Sequence, residues 1–411
     1  MSANVKLLAG LLIGALAGLG ARWAAVDHPE ILPWVERLIE PIGRIFLRLL
    51  FMLVVPLLFS ALVMGISGLE LRGAGRLGAK TLGYAFVFSV IAVVIGVGLV
   101  NLVRPGDGGG ALRALSGAAH APVAAPIEVS PASLIGGLVP DNPVKAAAAG
   151  DMVGLIVFSV IFGLGLAVTR TAGAARLREA IEGLYDVMMT LIAGVMRLAP
   201  VGVAALVCTM TARLGLDLLG PLLAYVGVVL LALLIQLLVV YSAAVRLLGG
   251  RSPLAFFRDV RLAMATAFAT SSSSATLPTA LIVAEEHLKL PRHISRFVLT
   301  AGSAMNQNGT ALFEGITVLF LAQLFDVHLG LGQQLLIMGI CILAGVGTAG
   351  VPAGSLPVIA TILVLVGIPV EGLGLILGVD RLLDMCRTTV NVTGDLAVAV
   401  IIARHEAGAC P

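Results

Sequence analysis

The sequence has little charge for its length. Only 12% of its 411 residues are charged, whereas a soluble domain has about 25% charged residues. Apolar residues make up 59% of the chain, and one core cannot hide that much apolar surface from water. We therefore predict an all-α polytopic membrane protein. The net charge of +3 gives no indication of a nucleic-acid partner.

Cysteine is also scarce, and the usual catalytic motifs are missing. The four cysteines are scattered without CxxC spacing, which predicts neither a disulfide framework nor a zinc site. The sequence contains no HExxH, GxSxG or Walker motif, and its six histidines lie outside the apolar stretches or near their ends. We therefore expect no enzymatic activity and no organic cofactor.

Long apolar stretches recur along the chain at lengths that fit a bilayer. A hydrocarbon core of about 30 Å needs about 20 apolar residues per helix. The sequence predicts eight transmembrane helices, of which the first is a membrane span and not a cleaved signal peptide. The segment 104–150 is rich in Gly, Ala and Pro and is predicted to be an external loop. The spans lie at about 7–25, 45–68, 81–103, 152–169, 186–210, 219–245, 297–324 and 375–403.

The distribution of basic residues predicts the orientation and two further segments. If both termini are cytoplasmic, most Lys and Arg residues near the span ends lie on the cytoplasmic side, which is the usual bias of membrane proteins. We therefore expect a protein of the inner or plasma membrane with both termini in the cytoplasm. The stretch 262–284 then has basic residues on both flanks, so it must enter and return from inside around TSSSSATLP. The stretch 332–368 would enter and return from outside around GTAGVPAGSLP. Such tips are tolerated only inside protein or beside a water-filled cavity.

These two interrupted stretches resemble each other. Each has a tip of small residues that ends in Leu-Pro, and the two enter from opposite sides of the membrane. This is the pattern of an inverted repeat, and paired interrupted segments indicate the binding site of a transporter. The alternative is two ordinary helices with incidental Ser and Gly residues.

The last span has an unusual stripe of polar residues. A charged group at the bilayer centre costs at least about 2.5–3.5 kcal/mol, so the stripe must face protein, ions or substrate. Arg381 lies apart from it, near the outer end. One alternative is a salt-bridge network that only holds helices together, and another is a charged pore. The residues that share one helical face are Asp380, Asp384, Arg387, Thr388, Asn391 and Asp395.

The chemistry of this stripe suggests a ligand. An arginine such as Arg387 pairs bidentately with a carboxylate. Asp384, about one turn away, can accept hydrogen bonds from an ammonium group. Asn391 and Asp395 supply the oxygen ligands that a hard cation prefers. Aspartate or glutamate fits this set of groups.

Four motifs give the chain a family resemblance. They are TSSSSATLP, NQNGTALFEG, GTAGVPAGSLP and LLDMCRTTVNVTGD, and they occur in this order across 264–404. The chain resembles the dicarboxylate/amino acid:cation symporter family, the glutamate and aspartate transporters. The first half matches by hydropathy and by patches such as RLAPVGVAAL and VPDNPVKA.

The resemblance implies an architecture. We expect a homotrimer in which each protomer has eight membrane helices and two re-entrant hairpins, with a transport domain that moves as an elevator. Scaffold helices 1 and 2 would occupy 1–75, transport helix 3 would occupy 76–103, and the external loop with scaffold helices 4 and 5 would occupy 104–215. The transport core would occupy 216–411, with its hairpins at about 253–289 and 331–369.

The resemblance also implies roles for single residues. Arg387 would hold the side-chain carboxylate of the substrate, Asp384 its ammonium group and Ser273 its main-chain carboxylate. The presence of both Arg387 and Asp384 favours an acidic amino acid over a C4-dicarboxylate or a neutral amino acid. The remaining expected substrate contacts are Thr310, Thr388, Asn391, Val351 and Gly354.

The chain departs from the sodium-coupled members of the family. Those members usually have Asn-Met-Asp-Gly-Thr in the seventh span, where this chain has Gln307 and Asn308. The sodium site that uses this aspartate would be degenerate here, because its remaining positions are Ala85, Phe88 and Ser89. A second cation site, weak or remnant, keeps its expected ligands, which are Gly302, Asn306, Asn391 and Asp395.

Glu314 favours a different coupling ion. The resemblance places a glutamate here in proton-cotransporting members and a glutamine in archaeal sodium-coupled members. Because burial disfavours the charged form of a carboxyl group, a half-buried Glu314 suits a proton carrier. We expect proton-coupled, sodium-independent uptake of aspartate or glutamate. The alternatives are sodium-coupled symport, C4-dicarboxylate symport and an associated anion conductance.

Overall fold

The computed structural model describes residues 3–67, 75–107, 139–149, 152–215, 219–347 and 355–407, and every regular element within them is helical. The first half contains α1 Ala3–Ala24, α2 Ile31–Trp34, α3 Glu40–Ser67, α4 Gly75–Val103, α5 Pro143–Ala149, α6 Met152–Val168 and α7 Ala172–Leu214. The second half contains α8 Leu219–Leu234, α9 Tyr241–Leu247, α10 Pro253–Thr270, α11 Ser273–Ile282, α12 Arg292–Met305, α13 Asn308–Leu324, α14 Leu331–Gly347, α15 Ser355–Leu365 and α16 Leu373–Ala407. Short π-helical segments lie at Val35–Ile39, Ile235–Val240 and Val283–His287, and a 3₁₀ turn lies at Val370–Gly372.

Each predicted span overlaps one of these helices or a pair of them. Among the described residues, three stretches are long and apolar enough to cross a membrane: Leu77–Val103, Gly220–Leu247 and Val370–Glu406. A fourth candidate is the pair Ala172–Val195 and Arg197–Arg213, which is bent by 52°. These stretches support a multi-pass helical membrane protein.

The segment predicted as an external loop contains a helix. Residues 108–138 of it lie outside the described part of the chain, but Pro143–Ala149 forms α5. Asn142 caps this helix, because its Oδ1 accepts from the backbone N–H of Val144 at 2.9 Å and of Lys145 at 3.1 Å. The predicted loop therefore includes a short helix, which the Asn-Pro start and the alanines that follow favour.

The helices α10 and α11 form a hairpin. Ser271 ends α10 in the left-handed conformation, with φ of 51°. The chain then returns to the level at which α10 began, because His287 Nδ1 lies 3.1 Å from the backbone oxygen of Asp259. At the same level Arg251 donates to the backbone oxygen of Leu288. The predicted turn within TSSSSATLP is therefore present.

The second predicted hairpin is described only in its two arms. Helices α14 and α15 both pack against α13. The connection between them, 348–354, lies outside the described residues, so the predicted tip is not described.

Helix α13 is the centre of the fold. It is buried along nearly its whole length, from Asn308 to Ala322 and again at Leu324. Helices α4, α8, α14, α15 and α16 pack around it. A helix buried on all sides has no solvent face, so its polar side chains must find partners inside the protein. On the other side, α7 packs against α1 and α3, and α3 also contacts α6.

Candidate functional site

The site begins at a break between α12 and α13. Asn306 and Gln307 have non-helical backbone angles, with φ of −105° and −98° and ψ of 68° and 53°. The pair Asn308–Gly309 predicts from the sequence that the seventh span unwinds at these residues, but the break lies two residues earlier because Asn308 begins α13. The amide of Gly309 needs no partner within the helix, since it donates to Asn391 Oδ1 at 2.7 Å.

Gly309 also lets two helices meet closely. A Cβ atom at this position would lie 2.7 Å from the backbone oxygen of Arg387. Only glycine allows the first turn of α13 to approach the middle of α16 in this way. The break therefore lies against the polar stripe of α16.

The charged residues of α16 form one buried cluster. Arg387 Nε donates to Asp384 Oδ1 at 2.9 Å, and Arg387 Nη1 lies 3.1 Å from Asp380 Oδ1. The predicted separation of Arg381 is wrong, because its Nη1 lies 3.5 Å from Asp384 Oδ2. The helical spacing of three residues brings these two side chains together. Arg387 is only 2% exposed.

The guanidinium of Arg387 is covered by an aromatic ring. Its Cζ atom lies 4.2 Å from the centroid of the Phe313 ring, within the range of a cation–π contact. Its Nη1 and Asp380 Oδ1 make no hydrogen bond of good geometry to any described residue, although the two groups attract each other as ions. The guanidinium therefore keeps donor capacity for a carboxylate.

An amide cluster joins the break to α16. Asn391 Nδ2 donates to Gln307 Oε1 at 2.6 Å and to Thr310 Oγ1 at 3.1 Å. Gln307 Nε2 in turn donates to the backbone oxygen of Ser303 at 3.1 Å. The structure thus brings together Asn391 and Thr310, as predicted for substrate contacts, and adds Gln307, to which the sequence analysis gave no role.

Three of the four residues predicted for a remnant cation site lie in contact where α12 ends, and these are Gly302, Asn306 and Asp395. Asn306 Nδ2 donates to Asp395 Oδ1 at 2.7 Å, while Asn306 Oδ1 has no hydrogen-bond partner in the described chain. A Cβ at Gly302 would lie 2.4 Å from Asp395 Oδ1. The fourth residue, Asn391, directs both polar atoms of its amide to Gly309, Gln307 and Thr310 instead.

The predicted degenerate sodium site is a hydrogen-bonded contact. Ser89 Oγ donates to Asn308 Oδ1 at 2.7 Å, and Asn308 Nδ2 donates to Tyr241 Oη at 3.1 Å. Ala85 and Phe88 are buried apolar neighbours. Sequence reasoning missed Tyr241, although a tyrosine within an apolar span was a signal that could have identified it.

Glu314 is more deeply buried than predicted. It is 0% exposed and not half-buried. Neither of its carboxyl oxygens has a hydrogen-bond partner among the residues that the structure describes. It lies one turn beyond Thr310 on the fully buried helix α13.

The hairpin serines are buried as well. Ser273, at the start of α11, is 2% exposed, and its Oγ lacks a partner within the described ranges. The same holds for Ser355 at the start of α15. Thr388 is buried on α16. The predicted contacts Val351 and Gly354 lie outside the described residues.

Comparison with known families places the chain. The profile of the Sodium:dicarboxylate symporter family matches residues 4–405. The chain belongs to this family. The predicted family resemblance is confirmed.

Curated relatives cover the whole chain. A proton/glutamate-aspartate symporter of Escherichia coli (strain K12) is 35% identical over 408 residues, which cover 98% of this chain and 92% of the relative. A proton/sodium-glutamate symport protein of Geobacillus stearothermophilus is 32% identical over 98% of this chain and 94% of the relative. A C4-dicarboxylate transport protein of Azorhizobium caulinodans is 30% identical over 98% of this chain and 88% of the relative.

Proposed function

We propose that this symporter takes up acidic amino acids, aspartate or glutamate, together with protons and independently of sodium. The observation that carries the substrate class is the buried pair of Arg387 and Asp384, joined at 2.9 Å. A spare carboxylate and an ammonium group on one small molecule complement this pair. The names of relatives that carry glutamate and aspartate support the same substrate.

We assign the contacts as follows. Arg387 binds the side-chain carboxylate, and Asp384 binds the ammonium group. Ser273, whose buried hydroxyl has no hydrogen-bond partner among the described residues, binds the main-chain carboxylate. The other substrate contacts that we propose are Thr310, Thr388, Asn391, Val351 and Gly354.

Glu314 is the proposed proton carrier. Burying an ionised carboxylate without a partner costs several kcal/mol, so a group in this position is favoured as the neutral acid. Glu314 takes up a proton when the site is open to the outside and releases it when the site is open to the inside. Both carboxyl oxygens of Glu314 lack a hydrogen-bond partner among the described residues, which supports its role as a proton carrier.

The residues of the predicted degenerate sodium site support coupling to protons and not to sodium. Asn308 brings no negative charge, and its amide is occupied by Ser89 and Tyr241. Gly302, Asn306, Asn391 and Asp395 are retained in our proposal as a weak cation site at most. Sodium-coupled symport is the competing possibility, which the names of the Geobacillus and other relatives keep open.

We further propose the architecture of the family for this chain. The chain would have eight transmembrane helices and two re-entrant hairpins, at about 253–289 and 331–369. These elements would form inverted repeats, and both termini would lie in the cytoplasm. A homotrimeric scaffold of 1–75 and 104–215 would hold transport domains of 76–103 and 216–411, which move as elevators. The extensive packing of α7 with α1 and α3 supports the grouping of these helices in one scaffold.

Two other activities remain distinguishable candidates. The relative that carries C4-dicarboxylates favours a substrate without an ammonium group, but the buried Asp384 would then repel it. The other candidate is an associated anion conductance, which is considered because the buried charges of α16 could line a pore.

A transport assay tests the proposal. The purified protein is reconstituted into proteoliposomes with an alkaline, sodium-free interior, and uptake of radiolabelled aspartate is measured. We expect a proton gradient to drive uptake, with inhibition by glutamate and not by serine. Strong inhibition by succinate, or uptake that only a sodium gradient drives, would contradict the proposal.

A further inference from the structure

A set of buried hydrogen bonds connects α4, α9, α13 and the π-helical segment Ile235–Val240. Ser89 Oγ donates to Asn308 Oδ1 at 2.7 Å, and Asn308 Nδ2 donates to Tyr241 Oη at 3.1 Å. On the other side, Gln236 Nε2 lies 3.4 Å from the backbone oxygen of Phe88 and donates to it. Ser89 is 2% exposed, while Asn308, Tyr241 and Gln236 are 0% exposed. The two ends of this series, Phe88 and Ser89, are consecutive residues of α4.

One link remains to close the series into a ring. Tyr241 accepts from Asn308, so its own hydroxyl proton is still available, and Gln236 Oε1 is an acceptor without a partner in the described chain. Gln236 and Tyr241 are five residues apart across a π-helical segment, in which the N–H of Tyr241 bonds to the backbone oxygen of Gln236. A small shift of the Gln236 amide toward the Tyr241 hydroxyl completes the ring, in which every hydrogen bond runs in one direction.

The ring bears on the substrate site through the first turn of α13. Asn308 is the first residue of α13, and the next residue, Gly309, donates its amide to Asn391 Oδ1 at 2.7 Å. Asn391 then donates to Thr310 Oγ1 at 3.1 Å. A shift of Asn308 would therefore move two of the proposed substrate contacts.

The backbone of α16 also approaches the ring. A Cβ atom at Gly394 would lie 2.6 Å from Tyr241 Oη and 3.2 Å from Asn308 Nδ2. Glycine at this position leaves room for the Tyr241 hydroxyl, because any side chain would displace it. The ring is thus packed between the two helices that carry the proposed substrate contacts.

We propose that Ser89, Asn308, Tyr241 and Gln236 form a closed hydrogen-bonded ring without a cation, and that Tyr241 is a positioning residue for substrate binding. The ring fixes the start of α13 and, through it, Asn391 and Thr310. This assignment of Tyr241 rests on the proposed function only because aspartate is the substrate whose transport is measured.

The direction of the ring requires an amide at position 308. A carboxylate accepts hydrogen bonds and cannot donate them. With aspartate there, Tyr241 would have to donate to position 308, and Gln236 Oε1 would lose its donor. Asn308 is therefore an integral part of this ring, which needs no bound ion to satisfy its polar atoms.

Two variants at separate points of the ring test the proposal. Tyr241→Phe removes the hydroxyl, and Ser89→Ala removes the donor to Asn308 without touching Tyr241. Tyr225→Phe is the matched control: it is equally buried on α8, and it donates to Thr317 Oγ1 at 2.8 Å because the Thr317 proton goes to the backbone oxygen of Phe313. Proton-driven aspartate uptake into sodium-free proteoliposomes is measured over a range of aspartate concentrations.

We expect both ring variants to raise KM about tenfold, the effect of one lost buried hydrogen bond, with kcat within about threefold of wild type. The control should keep KM within about twofold. Unchanged KM in Ser89→Ala, or a loss confined to kcat in both ring variants, would overturn the proposal. If Tyr241→Phe does not fold, Ser89→Ala decides by itself. Absence of aspartate uptake by the wild type would contradict the proposed function and not the ring.

Discussion

Arg387 donates its Nε to Asp384 at 2.9 Å, and both side chains are almost completely buried on α16. Asp380 lies 3.1 Å from the same guanidinium, and Arg381 lies 3.5 Å from Asp384. A substrate that brings a carboxylate and an ammonium group would add one partner to Arg387 and one to Asp384. The pair therefore serves as the charge template for an acidic amino acid.

Replacing Arg387 should abolish transport and destabilise the protein. Arg387→Ala leaves Asp380 without its counter-charge and Asp384 with Arg381 alone. Breaking a buried pair in this way costs about 3–5 kcal/mol. We expect loss of aspartate uptake and a lower melting temperature in detergent. The double variant with Asp384→Asn should recover part of the stability but no uptake. Uptake within threefold of wild type in Arg387→Ala would contradict the assignment.

Replacing Asp384 should change the preferred substrate class. Asp384→Asn removes the negative charge that pairs with the ammonium group and places an amide donor beside it, but leaves Arg387 to bind a carboxylate. We expect aspartate to lose its inhibitory effect while succinate gains one, as measured by competition against labelled aspartate and labelled succinate. If both compounds bind Asp384→Asn as they bind wild type, Asp384 does not contact the ammonium group.

A methyl group at position 302 should disturb the Asn306–Asp395 contact. The Cβ of Gly302→Ala would lie 2.4 Å from Asp395 Oδ1, and overpacking of this kind costs about 1–3 kcal/mol. We expect a lower melting temperature and weaker aspartate binding by calorimetry. Gly98→Ala on α4 is the control, since its Cβ would meet no atom within 4 Å. Equal behaviour of the two variants would argue against a tight contact at Gly302.

An aspartate at position 308 should make the protein respond to sodium. Asn308→Asp places an uncompensated carboxylate among buried side chains, which is costly unless a cation pairs with it. We expect a lower melting temperature than that of wild type in choline chloride and a rise when sodium replaces choline. The melting temperature of wild type should be the same in both salts. A sodium-dependent wild type would contradict the cation-free reading of this site.

Much of the fold could be predicted from the sequence because hydropathy and small-residue breaks are local signals. The hairpin turn at Ser271 and the polar stripe around Arg387 both follow from patterns within one segment. Tyr241 and Gln236 could not be placed, because their partners Asn308 and Phe88 come from distant segments and a π-helical segment sets their register. The break at Asn306 was misplaced because the bond from Gly309 to Asn391 is a tertiary contact.

Glu314 is the residue on which proton coupling depends. Protonation of its carboxyl group becomes more complete as the external pH falls, so uptake by the wild type should rise with acidity. Glu314→Gln is permanently neutral and should lose this dependence. Because it cannot release a proton, it should exchange internal for external aspartate without net uptake. Glu371→Gln, at the 3₁₀ turn before α16, is the control and should behave as wild type.

The most direct test measures aspartate and protons together. Wild type and Glu314→Gln are reconstituted without sodium, with labelled aspartate outside and with unlabelled aspartate and a pH-sensitive dye inside. We predict aspartate uptake with internal acidification for wild type, and aspartate exchange without acidification for Glu314→Gln. Uptake by wild type that requires a sodium gradient, or acidification that persists in Glu314→Gln, would contradict proton coupling through Glu314.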